Sequence, residues 1–116
     1  MDIIYDNKKV EKQCTNYKEA KKKLNINVAE KLHAAITFIK NAETLMDIKN
    51  MPMYNLHSLH GDREGTYAID LGRRLGYRLI ITPLDNEKNE WTIKDENKIY
   101  KSTKIILAME VTNHYE

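Results

Sequence analysis

From Val10 the apolar residues return at Cys14, Tyr17 and Leu24, a spacing near 3.6 that predicts an amphipathic helix, with Asp6 and Asn7 before it as N-cap side chains. A second stripe, Val28, Leu32, Ala35, Ile36 and Ile39, predicts another helix, and Asn27 with Glu30 three residues later has the spacing of a capping box. The two are expected to form a helical hairpin. After Pro52 the period changes to two. Tyr67, Ile69 and Leu71 alternate with Thr66, Ala68 and Asp70; GRRLG intervenes; then Tyr77, Leu79 and Ile81 alternate with Arg78, Ile80 and Thr82. That pattern predicts a β-hairpin.

Two further strands are expected at the ends. DIIY, residues 2–5, is a short β segment, and the stretch from Lys104 to about Asn113 is largely apolar on both faces, as suits an interior strand with helices on one side. Between them, the polar segment from Asp85 to Ser102 predicts a long excursion with a short hairpin pairing Trp91–Ile93 with Lys98–Tyr100. Helices first and strands afterwards imply an α+β fold, two N-terminal helices packed on a small, mostly antiparallel sheet of four to five strands.

Composition narrows the setting. With 116 residues, 41% apolar and 31% charged, the chain is expected to be a single globular domain spanning residues 1–116. No apolar run reaches the roughly 20 residues needed to span a bilayer, and MDIIYDNKKVEK lacks the apolar core of a secretion signal, so no membrane contact and a cytoplasmic location are expected. The single cysteine, Cys14, lies on the apolar stripe of the first helix and reads as a small core residue.

Charge changes the picture more than its net value of +2 suggests. Lysines, among them Lys8, Lys9 and Lys12, crowd the first helix, either as solvated surface or as a face for a phosphate backbone or an acidic partner. Arginine, by contrast, occurs only at Arg63, Arg73, Arg74 and Arg78. A guanidinium binds phosphate bidentately and remains charged throughout the physiological range, so arginines on neighbouring strands and turns make a phosphate-binding surface. Arg73 and Arg74 alternatively keep a turn soluble. Arg78 lies within an apolar strand and is either a structural ion pair with Asp70 or Glu110, or a ligand contact.

Familiar catalytic signatures are absent: there is no Walker loop, GxSxG, HExxH or CxxC. His57 and His60 have HxxH spacing, but residues three apart on an extended strand face opposite ways, so neither a metal nor a cofactor is expected. Cleaving RNA without a metal requires a base for the 2′-hydroxyl, a cation for the phosphorane and an acid for the 5′ oxygen. Imidazole serves as acid or base near neutrality, which makes His57, His60 and His114 candidates, with Tyr115 as a proton donor or stacking platform. His33, within the second helix, reads as structural.

The run LHSLHGDREGTYAIDL, residues 56–71, followed by Tyr77-Arg78, resembles HigB-type toxins of the RelE/ParE superfamily, as do the opening NKKVEKQC and Ala29-Glu30-Lys31-Leu32. That resemblance implies a plasmid-maintenance-type toxin of a type II toxin–antitoxin system: a ribosome-dependent mRNA endonuclease, acting without metal, with the helices-on-sheet fold already expected. It implies catalytic roles for His57, His60, Arg78, His114 and Tyr115, and RNA contacts by Arg63, Arg73, Arg74, Tyr77, Asn113, Lys8, Lys9 and Lys12. Its implied partners are a HigA-like helix-turn-helix antitoxin, the ribosome and mRNA. Where that family ends in Asp-Tyr-His, this chain has Asn113-His114-Tyr115, an imidazole and a phenol in exchanged order. The alternatives are a ParE-like gyrase inhibitor, against which the histidines argue, and a catalytically silent protein- or RNA-binding module.

Overall fold

The computed structural model describes residues 1–113. In chain order it contains β1 (Asp2–Tyr5), α1 (Lys8–Thr15), α2 (Tyr17–Lys23), α3 (Ile26–Asn41), α4 (Leu45–Lys49), β2 (His57–Ser58), β3 (Tyr67–Asp70), β4 (Arg78–Leu84), α5 (Glu96–Ser102) and β5 (Ile105–Thr112). The five strands form one sheet in the order β1-β5-β4-β3-β2. Three of its pairings are antiparallel, and β1 runs parallel to β5, so the sheet is mixed. β5 is therefore an interior strand, as its two apolar faces require.

The first helical stripe does not form one helix. Asn16 leaves the helical region at φ −126° and ψ 102°, donates its N–H to the Lys12 carbonyl, and accepts from the Glu19 N–H through its side chain. It thereby closes α1 and caps α2, a competition with the backbone that asparagine side chains win at helix ends. Val10, Cys14 and Leu24 remain buried across the break, while Tyr17 turns outward at 37% exposure. Three helices, not two, thus precede α4. The next cap also differs: Asn25 accepts from the Val28 N–H at 2.9 Å, so Asn27 lies inside α3 rather than opening it.

α3 presents Val28, Leu32, Ala35, Ile36 and Ile39 to the sheet, as its periodicity predicts. They pack on one face of it, against Ile69, Leu79, Ile81, Ile106 and Ala108. Cys14 joins this core at 2% exposure, and burial pushes its thiol up to about 12 despite the opposing pull of Lys40. The amino group of Met1 donates to the carbonyls of Ile39, Lys40 and Ala42, tying the start of β1 to the end of α3.

The expected β3–β4 hairpin forms, with Tyr67 opposite Ile81 and Asp70 opposite Arg78. Its connection winds Arg73–Leu75 into one 3₁₀ turn between Gly72 and Gly76, both at positive φ. The polar segment after β4 differs from expectation. Instead of pairing with Trp91–Ile93, residues 98–100 lie in α5, whose first turn is capped by Asp95. The driving force is burial: Ile99 and Tyr100 enter the core, and the Tyr100 ring meets Tyr67 edge-on at 5.8 Å. No helix among the described residues is long and apolar enough to cross a membrane.

Candidate functional site

Strand alternation divides the chemistry between two faces. Leu56 points into the core, so His57 points away from the helices, in one row with Ala68, Ile80 and Glu110. The next row on that face carries Asp70, Arg78 and Thr112. Arg63 arrives from the β2–β3 connection, and its guanidinium is 3.4 Å from the Glu110 carboxylate on β5. One face therefore holds a histidine, two arginines and two carboxylates.

The histidine is held by a residue that its own sequence does not advertise. Asn55 adopts the left-handed conformation at φ 43°, which asparagine tolerates better than most residues. Its carbonyl accepts from His57 Nδ1 at 2.6 Å. Because a carbonyl can only accept, the proton of the neutral ring sits on Nδ1 and the Nε2 electron pair is left available as a base. The Asn55 side chain donates to Asp70 Oδ2 at 3.2 Å, and Asp70 Oδ1 stands 3.5 Å from Arg78 Nε. That second contact is an ion pair by distance without the alignment of a hydrogen bond. Asp70 thus connects the histidine support to Arg78.

His60 does not join this face. It is exposed, three residues further along extended chain, and lines a cavity on the other side of the sheet with Ser58 and Trp91. The HxxH pair therefore cannot share an ion. Tyr77 also lies opposite Arg78, packed against the core beside Leu75. Arg73 and Arg74 are exposed in the turn, where Arg73 borders a groove that leads to Asn55 and Asp70. Lys8, Lys9 and Lys12 are exposed on α1, and Lys9 flanks a groove running beside Glu110. Asn113 is exposed just beyond β5; His114 and Tyr115 lie outside the described residues. His33 is structural: its Nε2 donates to the Gln13 carbonyl at 2.8 Å and its ring meets Tyr17.

Helices on one face of a mixed five-stranded sheet, with charged side chains on the other, define an α+β fold. Among solved structures, the chain is similar to a YoeB/ParE toxin from Agrobacterium tumefaciens, with a TM-score of 0.54 and 12% identity over 99% of this chain and 100% of that one. The likeness is one of fold. No protein-family model matches the sequence, and no curated protein matches it.

Proposed function

We propose that this chain is the toxin of a type II toxin–antitoxin pair and that it cleaves mRNA on the ribosome by attack of the 2′-hydroxyl, as HigB-type toxins do. The observation that carries this reading is His57, its Nδ1 proton fixed on the Asn55 carbonyl, on the same sheet face as Arg63 and Arg78.

His57 Nε2 accepts the 2′-hydroxyl proton; the 2′ oxygen bonds to phosphorus; the bond to the 5′ oxygen breaks, giving a 2′,3′-cyclic phosphate and a 5′-hydroxyl once that oxygen is protonated. His114 or Tyr115 supplies this last proton. Arg78, two strands and one row from His57 and so roughly 12 Å away at the usual strand spacing and rise, takes the scissile phosphate together with Arg63. Each guanidinium already faces a carboxylate, and the phosphate competes with Asp70 and Glu110 for its donors. The fork is thereby preoriented before RNA arrives. His60, on the other side of the sheet, takes no part in proton transfer. Arg73, Arg74, Lys8, Lys9 and Lys12 hold RNA phosphates, with Asn113 at the margin of the bound strand; Tyr77, packed against the core on the other side of the sheet, takes no part in holding RNA. The reaction needs no metal or cofactor, and a HigA-like helix-turn-helix antitoxin neutralises the protein.

Mapping new mRNA 5′ ends in cells minutes after induction tests the reading, with His57→Gln and Arg78→Ala induced in parallel. Cuts inside translated frames that vanish in both variants are expected. Growth arrest without new ends would move the reading to a gyrase inhibitor, and no arrest would leave a silent binding module.

A further inference from the structure

On the helix side of the sheet, apart from the face just described, a cavity of about 410 Å³ opens between the β2–β3 connection, the polar segment after β4, and α5. Three carboxylates line it, Glu64, Glu90 and Glu96, against one ammonium, Lys94, and the imidazole of His60. Two of its walls are fixed. Trp91 Nε1 donates to Thr103 Oγ1 at 2.9 Å, and Glu96 accepts from Ser58 Oγ at 2.9 Å and from the Tyr100 hydroxyl at 3.3 Å. Glu90 is drawn close to the opposite wall: its Oε1 stands 3.2 Å from where a Cβ would be on Gly65.

A phenol also faces the cavity. Tyr67 lines it at 5% exposure, and its hydroxyl makes no hydrogen bond among the described residues. Burial, reinforced by Glu96, raises the pKa of that phenol, so it stays neutral and keeps its oxygen lone pairs for a donor. The hydroxyl opens into the cavity rather than being sealed in the core, so a donor bound there can reach its oxygen.

We propose that this cavity binds an organic cation, a guanidinium or ammonium head on a short alkyl stem. The Trp91 face attracts the cation, Glu90 and Glu96 accept its charge-assisted hydrogen bonds, and the Tyr67 oxygen takes a further N–H. A guanidinium matches best, because its planar fork reaches several acceptors at once while the stem lies on the Trp91 and Ile99 side chains. The volume is that of a small-ligand pocket. An arginine side chain of a bound polypeptide and a free alkylguanidinium share this chemistry, and neither requires the RNA-cleaving reading.

Trp91 is the only tryptophan of the chain, so its emission reports directly on the cavity. The intact protein is titrated with butylguanidinium, with neutral butylurea, and with a glycine-flanked single-arginine peptide; Glu90→Gln and Tyr67→Phe are run alongside after a circular dichroism check of their fold. The expected result is a saturable emission change with the cations and none with butylurea. Each variant should weaken binding about tenfold, the equivalent of removing one hydrogen bond to a charged group. Tighter binding of the peptide than of butylguanidinium supports the site with a polypeptide as its source; equal or weaker binding supports it with a free small molecule. The proposal is overturned if butylurea binds as well as the cation, if Glu90→Gln leaves the affinity unchanged, or if no cation saturates the signal.

Discussion

Asn55 holds two side chains of the candidate site at once, through its carbonyl to His57 and through its amide to Asp70, and it does so from a left-handed backbone. Asn55→Ala removes the amide hydrogen bond and puts at a left-handed position a residue that tolerates it less well than asparagine, so stability should fall by about 1–2 kcal/mol in urea titration. Asn55→Gly tolerates the backbone, and it should retain most of the stability while losing cleavage, because the Asp70 link is gone. A glycine variant with unaltered cleavage would show that His57 is held without Asp70. Cys14 gives a pH prediction. Its thiol is raised from 9.0 to about 12 in the folded chain, so between those values the unfolded state has released a proton that the folded state keeps. Stability from this group is complete below pH 9 and declines as pH rises toward 12. Urea titrations across that window should show a steeper alkaline loss for the native chain than for Cys14→Ala. At this scale the sequence is partly legible. Alternation alone separates His57 from His60, and the placement of Arg78 in an apolar strand leaves an ion pair or a ligand contact, of which the Asp70 pairing supplies the first. Asn55 leaves no such signal, because its partner lies 15 positions away and only the strand register brings them together.

Elements are legible where periodicity runs long. α3, the β3–β4 hairpin and β5 follow their patterns because each has enough residues for one period to dominate. The α1–α2 break is hidden because Tyr17 keeps helical spacing while Asn16, its neighbour, caps the new helix. α5 is hidden for a related reason: short apolar runs fit strand and helix equally, and the adjacent pair Ile99 and Tyr100 is decided by the core they enter. The hairpin turn is the element most vulnerable to a single change. Gly72 sits at φ +85°, and a Cβ there would lie 3.1 Å from Leu75 Cδ1. Gly72→Ala should therefore cost roughly 1–3 kcal/mol, read as a lower denaturation midpoint, since a strained backbone adds to the steric crowding.

Across the whole molecule, one sheet divides the labour: helices cover one face, and the other carries His57, Arg63 and Arg78. The rim of that face adds exposed cations, which predicts a salt-sensitive association with RNA. Replacing Arg73 and Arg74 together by alanine should lower the slope of log affinity against log salt by up to about 2, near one unit for each phosphate that is no longer neutralised. An unchanged slope would restrict those residues to keeping the turn soluble. The measurement that bears most directly on the proposed function uses purified protein, ribosomes programmed with a defined mRNA, and characterisation of the end groups of any fragments, with His57→Gln as the comparison. The account predicts 2′,3′-cyclic phosphate and 5′-hydroxyl ends, produced by the native chain and absent with the variant; 5′-phosphate ends, or equal cleavage by His57→Gln, would contradict it.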